Sequence, residues 1–156
     1  MKNKKKIIFV SQALWIGGIE TALVNLINRL DYDKYDVTCL ITQNYLDMAE
    51  RLTKNCRLIV ADRHSLVTFT KPYRFKNLFN ILEEPQGATK LRRIVWRALN
   101  ILFKALENHL YSSYIKDQLQ AESFDTAIIY SDRVAEITTK AINAKKFLMF
   151  YHIKKL

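Results

Sequence analysis

The sequence has no long apolar run, and it contains only two cysteines and three glycines. A membrane-spanning helix needs about 18 apolar residues in succession, and no stretch approaches that length. The basic N-terminus leads through a short apolar run into a glycine turn without a cleavage-like site, which excludes a secretory signal. Cys39 and Cys56 lie in apolar runs that predict strands, so we expect buried, reduced thiols rather than a disulfide. These absences predict a cytoplasmic protein, either soluble or peripheral on the inner face of the membrane.

The composition is that of one globular domain with a strong positive charge. Hydrophobic residues make up 49% of the 156 positions, which excludes disorder. The 25 basic and 15 acidic residues give a formal charge of +10. Nucleic acid, anionic lipid and phosphorylated ligands are all favoured by this charge, which alone does not choose among them.

Apolar β-rich runs alternate with helical patterns along the chain. We predict strands over 7–10, 36–42, 56–61, 124–131 and 147–151, and helices over 18–30, 46–53, 75–82, 89–120 and 135–144. This alternation predicts an α/β fold, a doubly wound Rossmann-like parallel sheet of about five strands in the order 3-2-1-4-5. A helical insertion over about 64–120 separates the third strand from the fourth. We expect ligands at the carboxyl ends of the strands, near 11–18, 42–44, 62–65, 131–133 and His152.

Two of the three glycines, Gly17 and Gly18, form a turn between the first strand and the first helix. This arrangement directs backbone N–H groups and the positive end of a helix toward an anion. The dinucleotide fingerprint G-x-G-x-x-G and the Walker loop are both absent, and Thr42 to Asn44 stand where the ribose-binding acid is expected. Taken alone, the glycine pair is equally consistent with tight turning and close helix–sheet packing.

The longer stretch carries a family resemblance. Gly17-Gly18-Ile19-Glu20 follows a basic-apolar strand and precedes Tyr35-Asp36-Val37 at the start of the next strand. Over roughly 5–42, this resembles the start of family 4 glycosyltransferases, which are GT-B enzymes of polysaccharide, lipopolysaccharide and glycolipid synthesis. The resemblance implies a retaining, hexosyltransferase-type enzyme whose substrates are a nucleotide-sugar and a glycan or lipid-linked acceptor, with no metal or other cofactor.

The resemblance also implies roles for particular residues. Gly17, Gly18, Glu20 and Ser131 would contact the donor or acceptor, and His152 matches in position a catalytic histidine that lies close to the transferred sugar. The alternative for His152 is a surface histidine at a strand end. The donor domain of the family, with its E-x7-E motif, is absent from the sequence, so we expect the chain to be the N-terminal acceptor half and to be inactive alone.

The predicted helix over 89–120 is basic and amphipathic. Lys90, Arg93, Arg97 and Lys104 fall within one narrow sector of a helical wheel, a wide apolar arc lies opposite, and Trp96 lies at its margin. This pattern is typical of an interfacial helix on anionic lipid. The alternative is a helix that packs its apolar face on the sheet and exposes a basic face to solvent.

The alternative function is a non-catalytic basic Rossmann-like module that binds anionic ligands, a membrane surface or nucleic acid. A third hypothesis is a partner-binding domain that docks through its long helix. Nucleic-acid modules present exposed aromatic residues on strands or offer a recognition helix. Here the strands have few aromatic residues and their pattern predicts burial, so we do not expect nucleic acid as a partner.

Overall fold

The computed structural model describes residues 4–62 and 90–150. Its strands are β1 (Lys5–Ser11), β2 (Tyr35–Ile41), β3 (Arg57–Val60), β4 (Ser123–Phe124), β5 (Thr126–Ile129), β6 (Asn143–Ala144) and β7 (Phe147–Met149). Its α-helices are α1 (Gly18–Asn28), α2 (Lys90–Gln118) and α3 (Asp132–Ala141). His64, His152 and the helix predicted over 75–82 lie outside the described residues.

The main sheet has five parallel strands in the order β3-β2-β1-β5-β7. The predicted fourth and fifth strands are β5 and β7, so the predicted order is confirmed. In the centre of the sheet, Val10 is in register with Leu40 on one side and with Ile129 on the other. The predicted insertion contains α2, which lies between β3 and β4 in the chain.

Both faces of the sheet are covered, because alternate residues of each strand point to opposite sides. On one face, Phe9 and Ile41 pack with Leu23, Val24 and Ile27 of α1. The opposite face is formed by residues such as Ile8 and Val10, which pack against the last turns of α2 and against α3 (Tyr111, Ile115, Leu119, Val134, Ala135). Burial on both faces explains why the strands appear in the sequence as continuous apolar runs.

Three predicted elements differ from the structure. The helix predicted over 46–53 is a single 3-10 turn at Ala49–Arg51. The strand predicted over 124–131 is divided at Asp125 into β4, which pairs with β6, and β5, which pairs with β1 in the main sheet. The Asp125 carboxylate accepts a hydrogen bond from the Lys6 backbone N–H (2.9 Å). The last helix begins at Asp132 rather than at Ala135, and it ends before Asn143–Ala144 because these residues pair with β4 as β6.

The two cysteines are free thiols buried in the face that α1 covers, as predicted. Burial raises the pKa of the Cys56 thiol to about 11. The pKa of Cys39 is raised as well, first by burial and then by the neighbouring Cys56. Within the described residues, no helix combines the length and apolar character that crossing a bilayer requires.

Candidate functional site

The candidate site lies where β1 and β5 end side by side. The Tyr130 backbone N–H, just after β5, donates to the Val10 carbonyl of β1 at 2.8 Å. Beyond this point the two chain segments diverge, because β1 leads to α1 on one face and β5 leads to α3 on the other. Such a divergence opens a crevice at the carboxyl edge of a parallel sheet, where ligands of doubly wound folds bind.

Gly17 and Gly18 lie on the α1 side of this crevice, and the fold itself requires neither of them to be glycine. Gly17 precedes α1 in an extended conformation (φ −150°, ψ 167°), and neither residue has a positive φ. A Cβ on Gly17 would come within 2.5 Å of Glu20 Oε2 alone, and that side chain can move aside. A Cβ on Gly18 would meet nothing within 4 Å. The space beside Gly18 is therefore open to a ligand.

The first turn of α1 has no capping side chain. The Gly17 carbonyl accepts hydrogen bonds from the backbone N–H (2.9 Å) and the hydroxyl (2.6 Å) of Thr21, while the Glu20 carboxylate lies close to Gly17. A carboxylate near a helix N-terminus interacts favourably with the helix dipole. The same carboxylate repels a phosphate at this point and accepts hydrogen bonds from hydroxyl groups.

The loops at this edge are acidic, although the chain as a whole is strongly basic. Within the described segments 12–20, 42–48, 61–62 and 130–132 there is no lysine or arginine. The acidic residues of these segments whose side chains are described are Glu20, Asp47 and Asp62. Arg63 and Arg133 directly follow the last two segments in the chain. The described loop side chains at this edge therefore include carboxylates, which suit a hydroxyl-rich ligand.

Ser131 lies on the opposite side of the crevice from the glycines. It is the half-buried residue before α3 (φ −138°, ψ 124°), and its hydroxyl does not cap the helix. Sheet topology thus brings Gly17, Gly18, Glu20 and Ser131 to one edge, as the sequence predicts. The position of His152, the predicted catalytic residue, is outside the described residues, so its role stays a prediction.

Sequence reasoning missed an aromatic pair beside the glycine turn. Trp15 and Tyr45 follow β1 and β2, and their rings meet edge-on with centroids 5.3 Å apart. Trp15 was part of the predicted ligand-binding stretch, but Tyr45 lies one residue beyond the predicted segment 42–44. The sequence does not show that these two rings are neighbours, because backbone hydrogen bonds between the two loops bring them together only in the folded chain.

A second surface is formed by the part of α2 before Tyr111. Tyr111 lies at the carboxyl edge, where its hydroxyl contacts the Ala61 carbonyl, and the chain after α2 reaches the amino edge, where Glu122 binds Lys6 and Arg57. The 21 residues from Lys90 to Leu110 therefore begin at the carboxyl edge and form a helical segment about 30 Å long, at 1.5 Å per residue. We call this segment the α2 arm.

The α2 arm exposes both its basic residues and much of its apolar face. Lys90, Arg93, Arg97 and Lys104 are exposed, as are seven large apolar residues: Leu91, Ile94, Val95, Ile101, Leu102, Leu106 and Leu110. Leu91 and Ile101 are 72% and 70% exposed. Trp96 is half-buried, and its Nε1 atom is buried without a hydrogen-bond partner in the described part of the chain. Within the described residues, the part of α2 that packs on the core of the sheet is its last turns, at Tyr111, Tyr114, Ile115 and Leu119.

Among residues 4–62 and 90–150, no three histidine, cysteine, aspartate or glutamate side chains are grouped so that they could hold a metal ion. Comparison with models of known protein families and with curated proteins gives no match to the chain. Functional assignment therefore depends on the geometry and charge of the site.

Proposed function

We propose that this domain binds a glycan or lipid-linked acceptor at the β1/β5 edge, as the acceptor-side half of a retaining glycosyltransferase that uses a nucleotide-sugar donor. The observations that carry the proposal are the exposed Gly18, beside which a Cβ would meet nothing within 4 Å, and the carboxylates of Glu20 and Asp47 near the edge where β1 and β5 diverge. A glycine that no internal contact requires permits close approach of a ligand to the backbone. The family resemblance of 5–42 supplies the reaction.

The charge of the crevice supports an acceptor rather than a donor. A sugar acceptor presents neutral hydroxyl groups, which the Glu20 carboxylate and the Ser131 hydroxyl can bind. The diphosphate of a nucleotide-sugar instead requires dipoles and cations that stabilise the leaving group. In the GT-B fold that the resemblance implies, a second Rossmann-like domain supplies these groups. His152 would contact the transferred sugar.

Glycan binding by wild-type and Gly18→Trp proteins tests the proposal. A side chain at position 18 starts into open space, since a Cβ there meets nothing within 4 Å, and an indole adds bulk beside the helix. On an array of neutral and phosphorylated oligosaccharides, we expect the wild type to bind neutral glycans and the variant to bind them at least tenfold more weakly. Asn55→Trp, which adds the same bulk at an exposed turn on the opposite edge, is the control.

Two results would contradict the acceptor role. One is an array on which no neutral glycan retains the wild-type protein. The other is equal binding by the wild-type and Gly18→Trp proteins, which would show that the ligand does not bind beside Gly18. A preference for phosphorylated glycans that survives Gly18→Trp would favour the alternative, a non-catalytic basic module whose ligand lies elsewhere.

The α2 arm supports a second candidate function, which is peripheral contact with an anionic membrane. Exposed basic residues such as Arg97 and Lys104 adjoin exposed apolar residues such as Ile101 and Leu102. Basic groups bind anionic headgroups while neighbouring apolar groups enter the interface. Because the α2 arm extends from the carboxyl edge, a membrane bound to it would lie on the same side of the sheet as the proposed acceptor site. This arrangement suits a lipid-linked acceptor.

A further inference from the structure

Trp15 and Tyr45 present two aromatic rings to solvent at the carboxyl edge of the sheet. Trp15 is 41% exposed and Tyr45 is 51% exposed, and the planes of their rings make an angle of 60°. In an edge-on pair, the ring that contributes its edge keeps both faces free, so this contact does not hide the π surface. Ile16, beside Trp15, is 78% exposed. Large apolar side chains are thus grouped next to Gly17.

The two rings are held in place by buried neighbours. The Leu14 N–H donates to the Tyr45 carbonyl at 2.8 Å, and the Met48 N–H donates to the Leu14 carbonyl at 3.0 Å. The Leu14 and Met48 side chains are both buried in the face that α1 covers. Both loops are therefore anchored beside the rings, and little conformational entropy is lost when a ligand orders Trp15 and Tyr45.

We propose that Trp15 and Tyr45 form a stacking subsite for one sugar ring of a neutral glycan acceptor. The inference rests on the proposed function, and it names the part of the site that binds the acceptor. A pyranose has an apolar face of C–H bonds and a rim of hydroxyl groups. The C–H face packs on the negative face of an aromatic ring, while rim hydroxyls remain free to bind a carboxylate such as Glu20.

A sugar fits this position better than a nucleotide does. Nucleobases also stack on aromatic side chains, but nucleic-acid sites combine that stacking with a positively charged groove for the phosphates. Here Glu20 and Asp47 are near the pair in the chain, and the described loops around it contain no basic residue. A phosphate would be repelled by these carboxylates, whereas a neutral glycan carries no charge for them to repel.

Saturation-transfer NMR with three small probes tests the subsite: the methyl glycosides of glucose, galactose and N-acetylglucosamine. We expect the wild-type protein to transfer saturation to ring C–H protons of at least one probe. Trp15→Leu and Tyr45→Leu, which keep apolar bulk and remove a ring, are expected to weaken binding at least tenfold. Tyr45→Phe, which keeps the ring, and Phe147→Leu, which removes an exposed ring from β7, are expected to bind as the wild type does.

The outcomes separate failure of the subsite from failure of the proposed function. Equal saturation transfer in wild-type and Trp15→Leu proteins overturns the stacking subsite, and if Gly18→Trp weakens transfer in the same experiment, the acceptor role stands. Absence of transfer to all three probes in the wild type also overturns the subsite, while the glycan array decides the acceptor role separately. Adenosine monophosphate serves as a fourth probe. If its base protons receive as much saturation as the best glycoside, Trp15 and Tyr45 bind a nucleotide rather than a sugar.

Discussion

The Tyr111 hydroxyl donates a hydrogen bond of 2.7 Å to the main-chain carbonyl of Ala61. Both residues are buried, and the carbonyl of Thr42 is a more distant acceptor at 3.4 Å. One phenol thus connects α2 with the chain just after β2 and β3, where the candidate site begins. The α2 arm leaves the domain at this connection.

We expect Tyr111→Phe to lower the free energy of unfolding by about 1 to 2 kcal/mol. The substitution keeps the buried ring but leaves the Ala61 carbonyl without its donor, and a buried unsatisfied carbonyl is costly. Urea denaturation followed by circular dichroism measures the change. Tyr114→Phe is the matched control, since it removes a hydroxyl from a half-buried ring of the same helix. Equal losses in the two variants would contradict a specific role for the Tyr111 bond.

Acid sensitivity is expected from the carboxylates at the amino edge of the sheet. The pKa of Asp125 is lowered, first by the hydrogen bond from Lys145 (2.7 Å) and then by the bond from the Lys6 backbone N–H. For Glu122, burial raises the pKa, but hydrogen bonds from Lys6 and Arg57 outweigh burial and the pKa is lowered. A carboxyl group with a depressed folded-state pKa stabilises the fold above its unfolded-state pKa, and this contribution is lost as the pH falls through the folded-state value.

The free energy of unfolding should therefore decline below about pH 4, near the ordinary carboxyl pKa. Asp125→Asn keeps an oxygen acceptor for the Lys6 N–H but cannot titrate, so its unfolding free energy should depend less steeply on acid pH. Lys145→Met, which removes the first partner of Asp125, should change the pH dependence in the same direction. Denaturant titrations between about pH 2 and pH 6 measure the slopes. An unchanged slope in both variants would exclude Asp125 as a source of acid sensitivity.

Strand pattern predicted the main sheet because strands buried on both faces leave an unambiguous apolar signal. Ile7 to Val10 is such a run, and the alternation with helices fixed the order of the five strands. The break at Asp125 was not predictable, because it depends on which strands β4 and β5 pair with, and these are distant in the chain. The start of α3 was misplaced because the N-cap position of Ser131 was not recognised before an irregular helical pattern.

The edge of the sheet at which the candidate site lies follows from the strand pattern, but the charge of that edge does not. The rule that ligands bind at the carboxyl ends of parallel strands placed Gly17, Gly18 and Ser131 at one edge. The glycine turn alone suggested an anion, whereas the folded chain also brings Glu20 and Asp47 to this edge. Net charge could not reveal this, because it does not report which loops share an edge.

The two cysteine thiols should be unreactive in the folded protein. Since only the thiolate attacks disulfide reagents, the raised pKa of Cys56, about 11, makes that group almost wholly protonated at about pH 8. Burial also blocks access to Cys39. With dithionitrobenzoate, we expect slow labelling of the native chain and rapid labelling of both thiols in urea. The Cys39→Ser and Cys56→Ser variants identify which thiol is labelled slowly in the native chain, and we expect it to be Cys56. Rapid native labelling would contradict the buried positions.

Lipid binding by the α2 arm should depend on both charge and apolar contact. We expect the wild type to sediment with vesicles that contain phosphatidylserine and to remain in solution with vesicles of phosphatidylcholine alone. Each basic residue near an anionic surface contributes about 1 kcal/mol, so Arg97→Glu with Lys104→Glu should weaken binding by more than tenfold. Ile101→Gln with Leu102→Gln should weaken it without changing the charge.

A charge-matched control separates contact by the α2 arm from the attraction of a basic protein to any anionic surface. Lys54→Glu with Lys146→Glu reverses two exposed charges elsewhere and changes the net charge by the same amount. If vesicle binding came only from general electrostatic attraction, both charge-reversed double variants would bind equally weakly. Ile101→Gln with Leu102→Gln would then bind as the wild type does. Contact through the α2 arm requires a loss that is specific to Arg97 and Lys104, and added salt should reduce it only in part because the apolar residues are not screened. Recovery of the wild type in the supernatant with both kinds of vesicle would exclude membrane binding by the α2 arm.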